Sequence, residues 1–358
     1  MTSSSPIADY TIPAVLQSHL SRTFAPLTTM IPLSGGFSYY TYRAHLPTAK
    51  TVVIKHAEPF AALHRDIPLS TTRVGFERTA LSFPPPTITT AAGFTVTTPQ
   101  VLHYDEASHT LVVADAGVES IGLKALLLSS AVGLDAGELG TALGTWLHRL
   151  HTWGRTDAAA PLREALAGNT HASMLWTWAT YVRLVETIQL LPGAGLEDAE
   201  GLFAEIAAAA TAEQKAEQDT IIHGDFWCGN ILLQGSGGGA MVADWEMARM
   251  GGVWADLAQM CAELYLPWQF RGVETGVKVL RGFLSAYGRV SEEVARRIVV
   301  HFGVHLVIWP VRSGWGVQEE AERCAIVGRE FIERGWRRDW RSVKESVLGE
   351  LVDESWIV

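Results

Sequence analysis

The sequence predicts an α+β fold of two lobes, with a β-rich N-terminal lobe over residues 1–115 and a mainly helical lobe over residues 116–358. The chain has 358 residues, which is about right for two lobes. Its first third carries alternating or β-branched runs, whereas apolar residues recur at helical spacing after residue 123. Because lobes of this kind usually bind ligands in the crevice between them, we expect the functional site there.

The elements follow from these patterns in chain order. Strands are predicted at residues 39–45, 51–56, 94–98 and 110–114, with a helix at 72–81 that the proline run 84–86 ends. Helices are predicted at 137–151, 174–190, 199–217, 254–264, 273–287, 292–307 and 319–334. A small group of strands at 220–223, 231–234 and 241–244 interrupts them, and a glycine-rich turn joins the last two.

Composition limits the possible partners. The chain is 48% hydrophobic and 18% charged, which is enough apolar material for a large core. Its net charge of −10 argues against nucleic acid as the main partner, because nucleic-acid binders need a basic surface. The first residues lack a secretory pattern, and the apolar runs are short for a bilayer. With three scattered cysteines, this predicts a cytoplasmic protein without a membrane partner.

The strongest chemical pattern is His223-Gly224-Asp225-x-x-x-x-Asn230, followed by Asp244 at the end of a predicted strand. Phosphoryl transfer needs a carboxylate near the attacking hydroxyl and oxygen ligands that hold Mg²⁺ on the phosphates. An aspartate before a turn is often only a cap. The three residues together favour Asp225 as the catalytic group and Asn230 and Asp244 as metal ligands.

Further residues occur upstream in the order that a nucleotide site needs. Ser34, Gly35 and Gly36 form a turn whose main-chain N–H groups can approach phosphate, although such a pair of glycines is often only a turn. Lys55 ends an apolar strand, where a lysine is commonly just solvated, and Glu77 lies on the following helix. Together they match the strand lysine and helix glutamate that position phosphates in kinases.

These motifs resemble the aminoglycoside phosphotransferase and choline kinase-like family, which has a protein-kinase-like bilobal fold and phosphorylates small molecules. The similar segments are LSGGF (33–37), VVIKH (52–56), GFERTAL (75–81), LGTWLHRLHTW (143–153), HGDFWCGNILL (223–233), VADWEMARMGG (242–252) and ADLAQM (255–260). Within that family, the chain is similar to fungal methylthioribose kinase-like and 4-hydroxytryptamine kinase-like proteins. The resemblance spans about residues 30 to 335.

The resemblance implies a role for each matching residue. Asp225 would be the catalytic base or would orient the acceptor hydroxyl. Asn230 and Asp244 would bind Mg²⁺. Lys55 would bind the phosphates of ATP, and Glu77 would hold Lys55.

The resemblance also implies a hinge and a brace. The backbone from Ala114 to Ala116 would receive adenine, and Asp256 would brace the catalytic loop. The chain departs from the family at Val253, where proline is frequent. It departs from protein kinases at Trp227, where they carry a lysine, and only eleven residues separate Asp244 from Asp256. We therefore expect no protein substrate.

The sequence thus predicts an ATP- and Mg²⁺-dependent kinase that phosphorylates a hydroxyl of a small molecule. Two alternatives stay open, a non-catalytic nucleotide-binding scaffold and an antibiotic-inactivating kinase. Aromatic residues could line the acceptor pocket or belong to the core, and two histidine pairs fit the core better than a metal site. These aromatic and histidine residues are Trp227, Trp268, Trp309 and Trp315, and His148, His151, His301 and His305.

Overall fold

The structure is a computed structural model that describes residues 8–34, 36–83, 85–129, 135–216, 218–235 and 238–357. Internal contacts divide the chain into two compact units. The first consists of Met1–Pro84 and Pro99–Ser120, and the second of Pro85–Thr98 and Ile121–Val358. The predicted boundary between residues 115 and 116 stays a prediction.

The described strands are β1 (Thr29–Pro32), β2 (Tyr40–His45), β3 (Thr51–His56), β4 (Ile88–Thr89), β5 (Thr95–Thr97), β6 (Val101–Asp105), β7 (Thr110–Ala114), β8 (Ile121–Gly122), β9 (Thr220–Ile222), β10 (Ile231–Leu233), β11 (Gly239–Val242) and β12 (Arg249–Gly251).

The described helices are α1 (Pro13–Thr23), α2 (Arg73–Ser82), α3 (Leu123–Leu128), α4 (Ala136–Trp153), α5 (Ala160–Leu166), α6 (Thr170–Thr177), α7 (Arg183–Ile188), α8 (Glu200–Ala216), α9 (Trp254–Arg271), α10 (Glu274–Tyr287), α11 (Glu292–Ser313), α12 (Gln318–Arg337) and α13 (Trp340–Lys344).

The first unit is built on an antiparallel sheet with strand order β1-β2-β3-β7-β6. Successive side chains of a strand point to opposite faces. Val52 and Ile54 of β3 therefore share one face, where they join a buried cluster with Leu16 and Leu20 of α1. Lys55, the next residue of β3, is also buried, and its partner lies on α2.

The second unit contains a sheet with strand order β4-β5-β11-β10-β8. The strands β10 and β11 form the predicted antiparallel hairpin, with Ile231 opposite Val242. On its other side, β11 pairs in parallel with β5, where Ala240 lies opposite Val96. A separate antiparallel pair, β9 and β12, flanks the predicted catalytic loop.

Helices form the rest of the second unit, and α4 packs closely on α10. A Cβ on Gly144 would overlap with the carbonyl oxygen of Phe283, so glycine permits this approach of the two backbones. The buried face of α4 contains Leu143, Trp146 and Leu150. Each fully buried side chain of this size contributes about 1.5–3 kcal/mol to folding.

Among the described residues, α11 is the one helix long and apolar enough to cross a bilayer by length and composition. Within the protein, 78% of its apolar window is buried, which is the burial of a core helix. The expectation that no membrane is a partner stays a prediction.

The predicted α+β class is confirmed, with a β-sheet N-terminal region and a helix-rich C-terminal part. Strands 51–56 and 110–114 agree at both ends. The helix predicted at 174–190 is instead divided by a π-helical turn at Trp178–Val182. The helices α9 and α11 continue past their predicted ends, through Pro267 and Pro310. A proline removes one N–H donor, and packing on the other faces can compensate for that loss.

Candidate active site

Asp225 lies in the loop that joins β9 to β10, and both oxygens of its carboxylate accept hydrogen bonds. Gln259 Nε2, on α9, donates to Oδ1 at 2.7 Å. Asn230 Nδ2 donates to Oδ2 and to the main-chain carbonyl of Asp225, both at 2.9 Å. Because these partners are neutral amides, they orient the carboxylate and leave its negative charge in place.

The environment of Asp225 makes it more basic than an exposed aspartate. Burial, together with the negative charges of Asp244 and Glu263, raises the pKa of Asp225 to about 6. The hydrogen bonds from Gln259 and Asn230 act in the opposite direction. A carboxylate with this pKa is mostly ionised at pH 7 and still accepts a proton readily, which suits a general base.

Asp244 follows β11 in a left-handed backbone conformation, with φ 67° and ψ 66°. For a residue other than glycine this conformation costs on the order of 1–2 kcal/mol, and such strain is concentrated at functional sites. The hairpin register places Asn230 beside Ala243, whose N–H donates to the Asn230 carbonyl at 2.9 Å. Because Asp244 is the next residue, the hairpin brings both predicted metal ligands to one end.

Asp256 is fully buried near the start of α9 and binds the two residues that precede the predicted catalytic aspartate. Its Oδ2 accepts the N–H of His223 and its Oδ1 accepts the N–H of Gly224, both at 2.8 Å. The ring of His151 lies 3.1 Å from Oδ2. Burial acts to raise the pKa of Asp256, but the His151 contact keeps it below its usual range. Asp256 thus braces the loop through its backbone.

Arg249, on β12, also binds the backbone of this loop. Its Nη1 donates to the carbonyl oxygens of Gly224 at 3.3 Å and of Met247 at 3.0 Å, and its guanidinium lies 5.3 Å from the ring centre of Trp176. Gly224 has a φ of 80°, and a Cβ there would overlap with Arg249. Burial lowers the pKa of Arg249 to about 10, so the side chain is charged at neutral pH.

Lys55 and Glu77 form a buried ion pair within the first unit. Lys55 Nζ lies 2.6 Å and 2.7 Å from the two carboxylate oxygens of Glu77. The ring centre of Tyr39 lies 4.3 Å from Nζ, and the guanidinium of Arg73 lies 5.0 Å from the same ring. The structure thus joins the two residues that the sequence pairs, and adds an aromatic contact to them.

The remaining predicted nucleotide contacts lie in the first unit. Ser34 and Gly36 are exposed in the turn between β1 and β2, and Gly35 lies outside the described residues. Ala114 is the last residue of β7, and Ala116, two positions later, is half-buried. The nucleotide-binding roles of these residues stay predictions.

The oxygen-bearing side chains of Asn230 and Asp244 fit a magnesium ion. The amide nitrogen of Asn230 binds Asp225, so its Oδ1 is the atom that remains for a cation. Within the described part of the chain, no group of three or more His, Cys, Asp or Glu residues could hold a metal ion. Two protein ligands are sufficient for Mg²⁺, because it keeps several waters and takes phosphate oxygens of the substrate.

Comparison with known proteins decides the family. The profile of the phosphotransferase enzyme family matches residues 29–297, which is most of the chain and includes every predicted site residue. The chain belongs to this family of phosphotransferases. The predicted family, the enzyme class and the small-molecule kinase function are thereby confirmed.

Two fungal relatives of this phosphotransferase match it over nearly their whole length. The 4-hydroxytryptamine kinase of Psilocybe cyanescens is 26% identical over 353 residues, which cover 94% of this chain and 93% of the relative. The phosphotransferase FrzJ of a Cladobotryum species is 25% identical, over 94% of this chain and 95% of the relative.

Solved structures with the same fold include a choline kinase and an aminoglycoside phosphotransferase. The choline kinase of Cryptosporidium parvum has a TM-score of 0.53 and 11% identity, over 94% of this chain and 98% of that one. The GDP complex of aminoglycoside 2'-phosphotransferase-IIIa has a TM-score of 0.52 and 14% identity, over 90% and 98%. The protein-kinase-like fold of this phosphotransferase is thereby confirmed.

The sequence did not predict three residues that contact the candidate site. Gln259 binds Asp225, Arg249 binds the backbone before it, and Tyr39 lies against Lys55. Gln259 had a detectable signal, because it is a polar residue on an otherwise apolar part of α9, three positions after Asp256. Arg249 and Tyr39 had none, because Arg249 lies in β12, a strand that was not predicted, and an aromatic residue such as Tyr39 is common at a strand.

Proposed function

We propose that this phosphotransferase transfers the γ-phosphoryl group of ATP, with Mg²⁺, to a hydroxyl of a small molecule. The observation that carries the proposal is the environment of Asp225. Amides hold both of its carboxylate oxygens, its pKa is raised, and a second carboxylate with a strained backbone lies at the adjacent hairpin end. A base fixed in this way beside oxygen ligands is what phosphoryl transfer requires.

In the proposed reaction, the oxygen of the acceptor hydroxyl attacks the γ-phosphorus. The bond between that phosphorus and the β–γ bridging oxygen breaks, and ADP leaves with the electron pair. The hydroxyl proton passes to the Asp225 carboxylate. Gln259 and Asn230 keep this carboxylate oriented, so positioning contributes most of its effect.

Magnesium, when bound, neutralises the charge of the phosphate oxygens. Asn230, through Oδ1, and Asp244, through its carboxylate, would hold it. The half-buried position of Asp244 and its fixed backbone reduce the reorganisation that binding costs.

We assign the phosphates of ATP to Lys55. Glu77 fixes Lys55 Nζ through both oxygens, which sets the position of the ammonium group before the nucleotide arrives. The turn that contains Ser34, Gly35 and Gly36 would supply main-chain N–H groups to the phosphates. The backbone from Ala114 to Ala116 would bind adenine.

We further propose a hydroxylated metabolite as the acceptor, and a cytoplasmic location without a nucleic-acid, membrane or protein partner. The two relatives are named as a kinase of 4-hydroxytryptamine and a phosphotransferase, which supports a small acceptor. The net charge of −10 supports the absence of nucleic acid.

The experiment that tests this function compares the wild type with Asp225→Asn. Each enzyme is incubated with Mg-ATP and a pool of small alcohols, sugars and hydroxylated amines, and products are detected by mass spectrometry as an added phosphoryl group. We expect wild-type product and a loss of turnover of about 10³-fold or more in the variant. ATP binding by calorimetry should survive the substitution. Comparable turnover by both enzymes would overturn the role of Asp225.

A further inference from the structure

Lys124, on α3, has its ammonium group inside an aromatic and acidic cluster. Its Nζ lies 4.2 Å from the ring centre of Trp315 and 5.1 Å from that of Trp227. The same atom is 3.8 Å from Glu263 Oε2. We call these four residues the Lys124 box. The Lys124 ammonium group is attracted to both rings and to the carboxylate. The positive charge that faces the two rings therefore comes from the chain itself.

The Lys124 box adjoins the catalytic loop. Trp227 is two residues after Asp225. Glu263 lies one helical turn after Gln259 on α9, so the two side chains share a face of that helix. Gln259 Nε2 binds Asp225 Oδ1 at 2.7 Å. A ligand that touches Trp227 and Glu263 is therefore near the carboxylate that would accept the hydroxyl proton.

Two buried polar atoms of the box lack a hydrogen bond. His305 Nε2 binds Glu263 Oε1 at 2.9 Å, but among the described residues no hydrogen-bond partner reaches Glu263 Oε2 or Trp315 Nε1. Glu263 and Trp315 are each only 6% exposed. Buried polar groups in proteins are rarely left without partners, so each of these two atoms can form a hydrogen bond with a ligand or with a water molecule. The Lys124 side chain is 28% exposed, which gives solvent access.

The chemistry of these atoms determines what would bind. Lys124 Nζ and Trp315 Nε1 are donors, and Glu263 Oε2 is an acceptor. A hydroxyl or carboxylate oxygen can accept from both donors, and a hydroxyl can also donate to Glu263. A protonated amine has only donors, so it would satisfy Glu263 alone. It would also meet the positive charge of Lys124 at close range.

On the basis of the proposed function, we propose that the Lys124 box is an acceptor subsite for an uncharged or anionic oxygen-bearing group. Lys124 is then a specificity-determining residue that selects against acceptors with a protonated amine near the aromatic rings. The two indole faces would cover a flat or apolar part of the acceptor.

The test uses acceptors in matched sets of three. Each set has one hydroxylated ring system with a side chain that ends in an amine, a hydroxyl or a carboxylate. One set has a 4-hydroxyindole ring, and others have phenol and sugar rings. The kcat/KM of each member is measured for wild type, Lys124→Met and Lys124→Arg. Lys278→Met, which removes an exposed lysine on α10, is the matched control.

We expect the wild type to favour the hydroxyl or carboxylate member over the amine by about tenfold or more. Lys124→Met should remove or reverse this ratio, whereas Lys124→Arg and Lys278→Met should preserve it. A wild-type preference for amines, or the same ratio in Lys124→Met, would overturn the inference. Mg-ATP binding without turnover of any member would also overturn it. Failure to bind Mg-ATP would instead count against the proposed function.

Discussion

The two units of this phosphotransferase differ in the partners that they provide for a buried charged side chain. In the first unit, Lys55 and Glu77 are opposite charges in direct contact, and each neutralises the other. In the second, neutral amides hold Asp225, and the charge of Asp244 opposes its ionisation. The first arrangement is complete without a ligand. The second gains stability when a cation or a proton arrives, which is the property of a site that performs chemistry.

Glu77→Gln removes the negative charge of the buried Lys55–Glu77 ion pair. We expect it to have the largest effect on stability. The substitution takes away the charge that offsets buried Lys55, and removing one partner of such a pair costs about 3–5 kcal/mol. We expect the melting temperature to fall by about 5 °C or more and the KM for ATP to rise. Calorimetric melting and ATP titration measure both.

The control for Glu77→Gln is Glu330→Gln, which removes an exposed ion pair with Arg334. Exposed pairs contribute about 0–1 kcal/mol, so this variant should melt like the wild type. Equal melting of the Glu77 and Glu330 variants would show that the buried pair is not needed for folding.

Arg249→Met tests whether the position of Asp225 depends on the hydrogen bonds that Arg249 donates to the neighbouring backbone. The charged hydrogen bonds to the Gly224 and Met247 carbonyls contribute about 1.5–3 kcal/mol, so we expect kcat to fall about 30-fold. The KM for ATP should change little, and Arg249→Lys should recover part of kcat. Steady-state kinetics separates the two constants. Exposed Arg341→Met is the control, and a change confined to KM would contradict the positioning role.

Gln259→Leu removes one of the two amides that hold Asp225. Because the Asn230 contact remains, we expect about a tenfold loss in kcat, which corresponds to one hydrogen bond of ~1.4 kcal/mol. Gln269→Leu on the same helix removes a contact with the Tyr265 hydroxyl and should leave kcat unchanged. If both variants match the wild type, the amide at 259 has no role in orienting the base.

The comparison of Asp244→Gly with Asp244→Ala tests the strained backbone at residue 244. We expect only a small difference in stability between the two variants. Glycine adopts the left-handed backbone at no steric cost, whereas alanine retains the strain, so the glycine variant should be more stable by about 1 kcal/mol. Both should lose Mg²⁺-dependent nucleotide binding, as measured by calorimetry. Equal melting temperatures would show that the backbone at residue 244 relaxes without cost.

Much of the fold could be predicted because its elements have strong local patterns. The β3 and β7 runs are β-branched and apolar, and α4 has apolar residues at helical spacing. The short strands β6 and β12 were not predicted, because polar or glycine residues interrupt their few apolar positions, whereas the equally short β7, β9 and β10 are apolar runs. The helix α1 was also missed.

Less of the candidate site than of the fold could be predicted from the sequence. Asp225 and Asn230 lie in the loop before β10 and Asp244 follows β11, so a local motif contains all three. The structure places Asn230 against Asp225 and beside the residue that precedes Asp244. The support from Arg249 depends on how β12 packs on the loop, which no local pattern records, and the polar position of Gln259 on α9 did not by itself identify Asp225 as its partner.

The Lys124 box combines residues from four separate segments. Trp227 and Trp315 were among the aromatic residues that could line the acceptor pocket. In contrast, nothing in the sequence marked Lys124 or Glu263.

The parallel pairing of β5 with β11 affects how the protein is made. During synthesis, Val96 leaves the ribosome long before its partner Ala240, so β5 waits without one of its neighbours while α4 to α8 emerge. Strand edges that wait in this way can pair with other chains and aggregate. A recombinant fragment that starts at residue 121 would lack β5 altogether and expose the edge of β11. A fragment that also carries residues 85–98, joined by a linker, would contain β5 and could pair it with the edge of β11.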